Sequence, residues 1–210
     1  MTRYEGNWED DIPNGQGVKT FTNGDIYEGE WQNWKFNGKG KYSWKNGDVF
    51  EGNFKDDQKI GKGSLTFSDG DRYEGSWDNW KYSGQGKYSW NSGEQAGDFY
   101  EGNYLESKKQ GSGSYHWKSG QAYAGYWENN LRSGYGEFIY TPERPEARYE
   151  GKWREDKMWG NGTLIWEDGC KYVGLFEKDV MQGKGILTFA KRKNETAPYK
   201  YEGDLFKVFC

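Results

Sequence analysis

Few residues in this 210-residue sequence have the types and spacing that catalysis or metal binding requires. There is one histidine, His116, and there are two cysteines, Cys170 and Cys210. Metal centres and general-base catalysis use clusters of such side chains, which a lone histidine does not supply. The segment Asp69-Gly70-Asp71 resembles a calcium-binding turn, but a tight hairpin accounts for the same residues. The residue types therefore predict a protein with no catalytic site, no metal and no cofactor.

A recurring glutamate is the second candidate for acid–base chemistry. It follows the first aromatic residue of seven segments, as Glu5, Glu28, Glu51, Glu74, Glu101, Glu150 and Glu202. Acid–base catalysis by carboxylates needs two of them in one site, whereas these recur once per repeat on a strand face that should meet solvent. We interpret them as a structural ladder whose cross-strand partners are Lys39, Lys62 and Lys184.

The spacing of that glutamate reflects a repeat with a base period of 23 residues. Nine segments begin with an aromatic residue, at Tyr4, Tyr27, Phe50, Tyr73, Tyr100, Tyr123, Tyr149, Tyr172 and Tyr201. A repeat array needs contacts only between neighbouring units, so it can dispense with a central core. We predict one array over residues 1–210, with insertions at 94–99, 141–148 and 190–200 that face a second neighbour.

Within each repeat we number the first aromatic residue position 0. Large rings recur at positions 0, 4 and 17, and glycines recur at positions 2, 11 and 13. Because side chains alternate sides along a strand, this pattern predicts two short strands per repeat with their rings on one face. The fold class is therefore all-β, as an elongated, twisted, single-layer antiparallel meander with an aromatic groove.

Two kinds of connection should join these strands. Within a repeat, the six residues at positions 5–10 are left to form a longer loop. Between repeats, Asn-Gly or Asp-Gly at 23–24, 46–47, 69–70 and 168–169 predicts tight turns in which both residues have positive φ. We expect each glycine on the ring-bearing face to make room for a ring of the adjacent strand.

The aromatic face is the main candidate for a binding surface. A single sheet has no second layer to cover it, and soluble proteins rarely expose large apolar patches. The predicted groove residues are Tyr27, Trp31, Trp44, Tyr73, Trp77, Trp90, Tyr100, Trp117, Tyr123, Trp127, Tyr149, Trp153 and Trp166. The competing interpretation is that the rings only pack on one another along the array.

A second candidate surface lies in the loops predicted within repeats two and four. Those loops carry rings at positions 7 and 9, namely Trp34, Phe36, Trp80 and Tyr82. Aromatic loop tips are uncommon for structural reasons alone, because loops run over the surface. These residues are predicted to form a docking edge for a partner, or else to cap the edge of the sheet.

Charge and composition limit the kinds of partner that the sequence predicts. The formal net charge is −4, which argues against nucleic acid because a basic face is its usual footprint. Acidic lipids could be contacted only through Lys108-Lys109 and Lys191-Arg192-Lys193. No signal peptide or membrane-spanning run is recognised and cysteines are few, so we expect a cytoplasmic protein.

The repeat pattern Tyr-Glu-Gly-x-Trp, six residues, Gly-x-Gly, three residues and an aromatic resembles the MORN repeat (membrane occupation and recognition nexus). The resemblance runs from Tyr4 to the end of the chain. It departs from common MORN repeats before the Gly-x-Gly, where a histidine is replaced by Asn14, Asn37, Ile60, Ser83 or Gln110.

The MORN resemblance implies several functions. Members of the family serve as cytoskeletal and ciliary scaffolds, including radial spoke heads, as membrane-junction tethers and as accessory regions of enzymes. The leading expectation is a non-catalytic adaptor, cytoskeletal or axonemal, that binds an amphipathic helix, assembly subunits or a second copy of the chain. The alternatives are a peripheral membrane tether that binds acidic phospholipids and an accessory subunit of an enzyme complex.

Overall fold

The computed structural model describes residues 2–141, 143–190 and 199–206. These residues form seventeen β-strands and no helix, which confirms the all-β prediction. The chain packs as two compact units, residues 1–108 and 109–210, and each is described by itself.

The first unit is a single-layer meander in which each strand pairs antiparallel with the next. Its strands are β1 (Arg3–Glu9), β2 (Ile12–Thr20), β3 (Ile26–Gln32), β4 (Lys35–Ser43), β5 (Val49–Lys55), β6 (Gln58–Thr66), β7 (Arg72–Asp78), β8 (Lys81–Ser89) and β9 (Phe99–Leu105).

The second unit repeats this arrangement. Its strands are β10 (Lys108–His116), which begins at the boundary, β11 (Ala122–Glu128), β12 (Leu131–Ile139), β13 (Glu146–Arg154), β14 (Lys157–Trp166), β15 (Lys171–Glu177), β16 (Val180–Thr188) and β17 (Lys200–Phe206). The predicted insertions precede β9, β13 and β17 and extend into the first residues of these strands, as 146–148 do in β13. Residues 142 and 191–198 of the insertions lie outside the described residues.

The register places glycine opposite glycine between neighbouring strands. In the second repeat, Gly29 of β3 faces Gly17 on one side and Gly40 on the other. A Cβ atom added to Gly40 would lie 2.6 Å from the Tyr27 ring, closer than real side chains approach. The prediction that each glycine makes room for a ring of the adjacent strand therefore holds at position 13. At position 2 the ring beside Gly29 is Tyr27 of the same strand, and Gly38 at position 11 meets the Glu30 side chain instead of a ring.

The prediction of six-residue loops within repeats is wrong. β3 ends at Gln32 and β4 begins at Lys35, so two residues, Asn33 and Trp34, make the turn. Both have positive φ, at 51° and 65°, as in a type I′ hairpin. The missing residues belong to the strands, and a bulge at position 11, where Gly38 has φ 61°, takes up the extra length.

The turns between repeats also differ from the prediction. Asn-Gly does mark a hairpin at 23–24, but only Gly24, at φ 95°, has positive φ. Its N–H donates to the Phe21 carbonyl at 3.0 Å, and the Phe21 N–H donates to the Asp25 carbonyl at 2.9 Å. This pattern fits a type I turn followed by a glycine bulge, which places positive φ on the glycine alone.

Candidate functional site

The rings at positions 0 and 4 form the core of each unit. Tyr27 is fully buried, stacks on Phe36 at 3.9 Å between ring centres and meets Trp31 edge-on at 5.1 Å. Ten of the thirteen predicted groove residues are buried, with at most 7% of their surface exposed: Tyr27, Trp31, Tyr73, Trp77, Tyr100, Trp127, Tyr123, Tyr149, Trp153 and Trp166. Nine of these ten rings occupy positions 0 and 4 and supply the hydrophobic core that a single sheet otherwise lacks, whereas Trp166 lies at position 17.

The polar atoms of the buried tyrosines and tryptophans form hydrogen bonds with the backbone. The Tyr27 hydroxyl donates to the carbonyl of Glu30 at 2.9 Å, and the same bond to position 3 recurs for the tyrosines at position 0. The indole N–H of Trp31 donates to the Gly17 carbonyl at 3.0 Å. Burial raises the pKa of Tyr27 above its ordinary value, so its hydroxyl remains a donor at neutral pH.

The three remaining groove residues are half-buried tryptophans at position 17, namely Trp44, Trp90 and Trp117. Trp44 lies 4.8 Å from Tyr42, and Trp90 lies 4.6 Å from Tyr88, between ring centres. These tryptophans retain solvent-facing area, so they are the groove residues that a partner could touch without opening the sheet.

The four predicted edge residues separate into two kinds. Trp34 and Trp80 lie in the two-residue turns, with 47% and 39% of their surface exposed. Phe36 and Tyr82 lie instead in β4 and β8, where Phe36 stacks on Tyr27 and Tyr82 stacks on Tyr73 at 3.7 Å. Trp34 and Trp80 are thus the accessible pair of the four.

A buried lysine stands beside one of these turns. Lys59, at position 9 of the third repeat, is 2% exposed. Its amine nitrogen lies 4.1 Å from the ring centre of Phe50, 4.2 Å from Trp44, 4.8 Å from Trp77 and 4.4 Å from Trp80. Burial lowers the pKa of Lys59 to about 7, although the negative charge of Asp48 acts in the opposite direction. The attraction of a cation for aromatic faces offsets part of the cost of burying it.

Position 9 therefore covers the ring at position 0, either with another ring or with a cation. In the second unit Arg132 takes this place, with its guanidinium 4.3 Å from the Trp153 ring. Its Nε donates to Asp156 Oδ1 at 3.0 Å, which neutralises the charge. Lys109 lies over Trp127 at 4.4 Å, and burial lowers its pKa to about 8. Of the predicted lipid-contacting pair, Lys108 is exposed, whereas Lys109 is half-buried against these rings.

A cleft of about 450 Å³ opens on the aromatic side of the second unit. Its floor includes Phe138, Trp153 and Trp166, and its walls carry the ion pairs Arg144–Glu146 and Lys157–Asp179 at 3.2 Å and 2.9 Å. Part of one wall comes from the connection between β12 and β13, where the sequence predicts an insertion. An apolar floor with a polar rim is the usual anatomy of a site that accepts a partner side chain.

The opposite face carries the predicted charge ladder, with different lysines. Lys41, at position 14, faces Glu28 and Glu51, and its amine lies 3.3 Å from the Glu51 carboxylate. The predicted partners face other residues: Lys39 faces Asn53, Lys62 faces Ser76 and Lys184 faces Asp204. The bulge at position 11 changes the count of residues between the strands, which is why position 14 rather than position 12 meets the glutamate.

Sequence reasoning missed a set of carboxylates that join successive turns. Asp25 is 7% exposed, and its Oδ1 accepts the backbone N–H of Lys45, in the next repeat, at 2.9 Å. Its Oδ2 accepts the Tyr42 hydroxyl at 2.9 Å. The Lys45 N–H is the main reason that the pKa of Asp25 lies below its ordinary value. The signal in the sequence was the recurrence of Asp two residues before position 0, at 25, 48, 71 and 98.

The histidine, cysteine and acidic residues of the described part of the chain are spread along the repeats. Groups of three or more histidine, cysteine, aspartate or glutamate side chains able to hold a metal are absent there. His116 ends β10, opposite Ala122. The same residues contain no helix long and apolar enough to cross a membrane.

The fold and the aromatic face of its sheet define a repeat protein built from one layer of β-hairpins, with rings packed between neighbouring repeats. The chain belongs to the MORN repeat family, which matches residues 4–26, 27–49, 50–72, 73–95, 100–122, 123–142, 149–171 and 172–192. The match confirms the predicted family. MORN repeats indicate a scaffold with a role in membrane or protein interaction, and the family is typically non-catalytic.

Similar solved structures resemble the chain only weakly. The SAS-4 (dCPAP) TCP domain of Drosophila melanogaster, in complex with a proline-rich motif of Ana2 (dSTIL), is 13% identical with a TM-score of 0.34, over 96% of this chain and 88% of that one. A catalytically inactive H270A virginiamycin B lyase from Staphylococcus aureus, with quinupristin, is 10% identical with a TM-score of 0.18, over 97% and 88%. Comparison with curated proteins found no match.

Proposed function

We propose that this MORN protein is a non-catalytic adaptor that binds a protein segment on its aromatic side. The observation that carries the proposal is the cleft of about 450 Å³ in the second unit, with its apolar floor and ion-paired walls. The half-buried Trp44 and the exposed Trp34 and Trp80 offer a second apolar surface on the first unit. Aromatic side chains in such places contribute much of the affinity at protein interfaces.

The setting that we propose is cytoplasmic, and cytoskeletal or axonemal. Its support is the resemblance to MORN scaffolds, of which radial spoke heads are one kind. An amphipathic helix suits both surfaces, because apolar residues on one helix face could enter the cleft while polar residues meet the Arg144–Glu146 and Lys157–Asp179 pairs.

Cross-linking mass spectrometry in cells of the native source tests this proposal. The wild-type chain should give cross-linked proteins that are lost when Met181, which lines the cleft, is replaced by lysine. The matched control is Val180→Lys, since Val180 is 40% exposed and does not line the cleft. The same partners recovered with all three chains would contradict binding in the cleft.

The first unit is tested by the double change Trp34→Ser and Trp80→Ser. A folded variant that loses its partners supports docking at the turns, whereas loss of the folded array shows that the two rings cap the sheet. Ile26→Ser is the control, because Ile26 is also exposed, at 40%, but lies outside the turns. Sedimentation with anionic vesicles, abolished by salt, would instead favour a membrane tether.

A further inference from the structure

The ring of Trp80 lies over the aromatic side of the two preceding repeats. Its centre is 5.9 Å from that of Tyr42, 6.3 Å from that of Trp44 and 6.4 Å from that of Phe54, distances at which aromatic rings attract one another. Its indole N–H donates to the Asp57 carbonyl at 3.0 Å. We call the residues that surround this ring the Trp80 site: Tyr42, Trp44, Phe54, Asp57 and Lys59.

The repeat numbering locates the equivalent place in the second unit. Trp80 is at position 7 of its repeat, and its site comes from positions 15 and 17 two repeats earlier and positions 4, 7 and 9 one repeat earlier. For the eighth repeat, these positions are Phe138, Tyr140, Trp153, Asp156 and Met158. All five line the cleft of about 450 Å³. The cleft therefore contains the place that Trp80 fills in the first unit.

The residue at position 7 distinguishes the two places. In the eighth repeat it is Asp179, whose Oδ1 accepts the Met158 N–H at 2.8 Å and whose Oδ2 lies 2.9 Å from the Lys157 amine. The φ angle is 66° at Trp80 and 68° at Asp179, so both side chains leave the turn from the same backbone conformation. A short carboxylate thus stands where the first unit has an indole, and the rings below it line an open cleft.

We infer that the cleft receives a tryptophan side chain of a partner protein, in the place that Trp80 takes in the first unit. The inference rests on the proposed function, because it names the anchor of the segment that binds there. The Asp156 carbonyl corresponds to that of Asp57 and would accept the indole N–H. It already accepts a bond from Arg132 Nη2 at 3.0 Å, and a carbonyl oxygen has two lone pairs.

The charges around the cleft favour an uncharged anchor over an anionic lipid headgroup. Each of three basic side chains lies within 3.2 Å of a carboxylate, in the pairs Arg132–Asp156, Arg144–Glu146 and Lys157–Asp179. A phosphate would have to displace one of these carboxylates, whereas a neutral indole would not. The indole also finds aromatic edges and the polarizable sulfur of Met158, both of which attract rings.

Methionine methyl groups report directly on the cleft. The chain has three methionines, and two of them, Met158 and Met181, line the cleft. In the whole chain with 13C-labelled methionine methyl groups, N-acetyltryptophanamide should shift both signals and saturate with a dissociation constant of about millimolar order. N-acetylleucinamide lacks a ring and should bind about fivefold more weakly. Met158→Leu and Met181→Leu assign the two signals.

Asp179→Trp supplies the ring from the chain itself. Its indole should occupy the cleft as Trp80 occupies the Trp80 site, so the methionine signals should be shifted before any probe is added and should no longer respond to it. The matched control is Asp179→Ala, which removes the same carboxylate without supplying a ring and should still bind the probe. Thermal unfolding shows whether both variants are folded.

Trp80→Gly is a second variant that leaves the cleft unchanged. Glycine accepts the positive φ of this turn, and the change vacates the Trp80 site. N-acetyltryptophanamide should therefore raise the unfolding temperature of this variant more than that of the wild type, because the variant offers a second place for the indole. An equal rise in both chains would show that the Trp80 site does not select an indole.

The inference is overturned if the leucine probe binds as tightly as the tryptophan probe, or if Asp179→Trp responds to the probe as Asp179→Ala does. Cross-linked partners that are lost in Met181→Lys, together with methionine signals that ignore the probe, would leave the proposed function intact and refute the indole anchor. Probe binding without any cross-linked partner would support the indole site and contradict the proposed function. Anionic vesicles that shift the signals where the probe does not would assign the cleft to lipid.

Discussion

The amine nitrogen of Lys59 lies 4.4 Å from the ring centre of Trp80, so a buried cation of the third repeat meets a turn of the fourth. The two residues occupy positions 9 and 7 of successive repeats. The contact places an interior lysine, whose pKa is lowered by burial, beside an exposed tryptophan that is a candidate for partner binding.

The first prediction concerns the pH dependence of stability that Lys59 causes. Its pKa of about 7 in the folded chain is far below the value near 10.4 expected when unfolded. Between these two pH values the unfolded chain binds more protons, so the free energy of unfolding should increase as the pH rises from about 7. The slope attributable to Lys59 approaches about 1.4 kcal/mol per pH unit.

Lys59→Met removes this group while it keeps a flexible apolar side chain among the rings. Urea unfolding at pH 7 and pH 9 should show a smaller increase in stability for the variant than for the wild type, with the variant more stable at pH 7. Lys41→Met is the control, since Lys41 is exposed and pairs with Glu51 on the other face. An unchanged slope in Lys59→Met would rule out the buried lysine as its source.

A second prediction follows from the glycine at position 13. In Gly40→Ala the new methyl group would lie 2.6 Å from the ring of Tyr27. Because Tyr27 is fully buried and cannot move away, the change should cost about 1–3 kcal/mol of unfolding free energy. Lys41→Ala, at the exposed next residue, should change stability by less than about 0.5 kcal/mol in urea unfolding. Equal effects would contradict the packing argument.

The sequence is sufficient to predict the repeat, the strand number and the face that carries the rings. Alternation at positions 0, 2 and 4 puts the rings and glycines on one face of a strand, but it does not reveal the bulge at position 11 that sets the cross-strand pairs. The turn at Asn33 and Trp34 is not predictable in the same way, because tryptophan rarely adopts the positive φ that the turn requires. Here the contacts of Trp34 with Trp8 and Tyr4 accompany the uncommon conformation.

The sequence does not predict which rings are buried in the core and which remain at the surface. Spacing alone does not distinguish Trp31, which is 2% exposed, from Trp44, which is half-buried, because both lie on the same face. The two rings differ in what covers each of them, since Trp166 occupies the same position in its repeat as Trp44 and is buried. Trp31 is covered by Tyr4 of the preceding repeat and by Tyr27 of its own repeat. Trp44 lies where a turn between repeats leaves part of it open to solvent.

A third prediction compares the ring at position 0 in two repeats. Tyr27→Phe removes the hydroxyl that donates to the Glu30 carbonyl at 2.9 Å, and should cost about 1 kcal/mol. Phe50 lacks this hydroxyl and is likewise fully buried at position 0, with Lys59 rather than a ring at position 9 against it. Phe50→Tyr should therefore be neutral or stabilising. Urea midpoints of the two variants that shift in the same direction would show that the hydroxyl bond is unimportant.

The last prediction concerns the carboxylate that joins neighbouring turns. Asp25→Ala leaves the Lys45 N–H and the Tyr42 hydroxyl without their acceptor, so it should cost about 1–3 kcal/mol near neutral pH. The pKa of Asp25 is lowered in the folded chain, so its contribution is fully present above the unfolded value of about 3.9 and is lost as the pH falls further. The stabilities of wild type and variant should accordingly converge in acid. The control is Thr22→Ala, an exposed change in the same turn, which should alter the free energy of unfolding in urea by less than about 0.5 kcal/mol at any pH. If Thr22→Ala lost as much stability as Asp25→Ala, the effect would belong to the turn and not to the carboxylate.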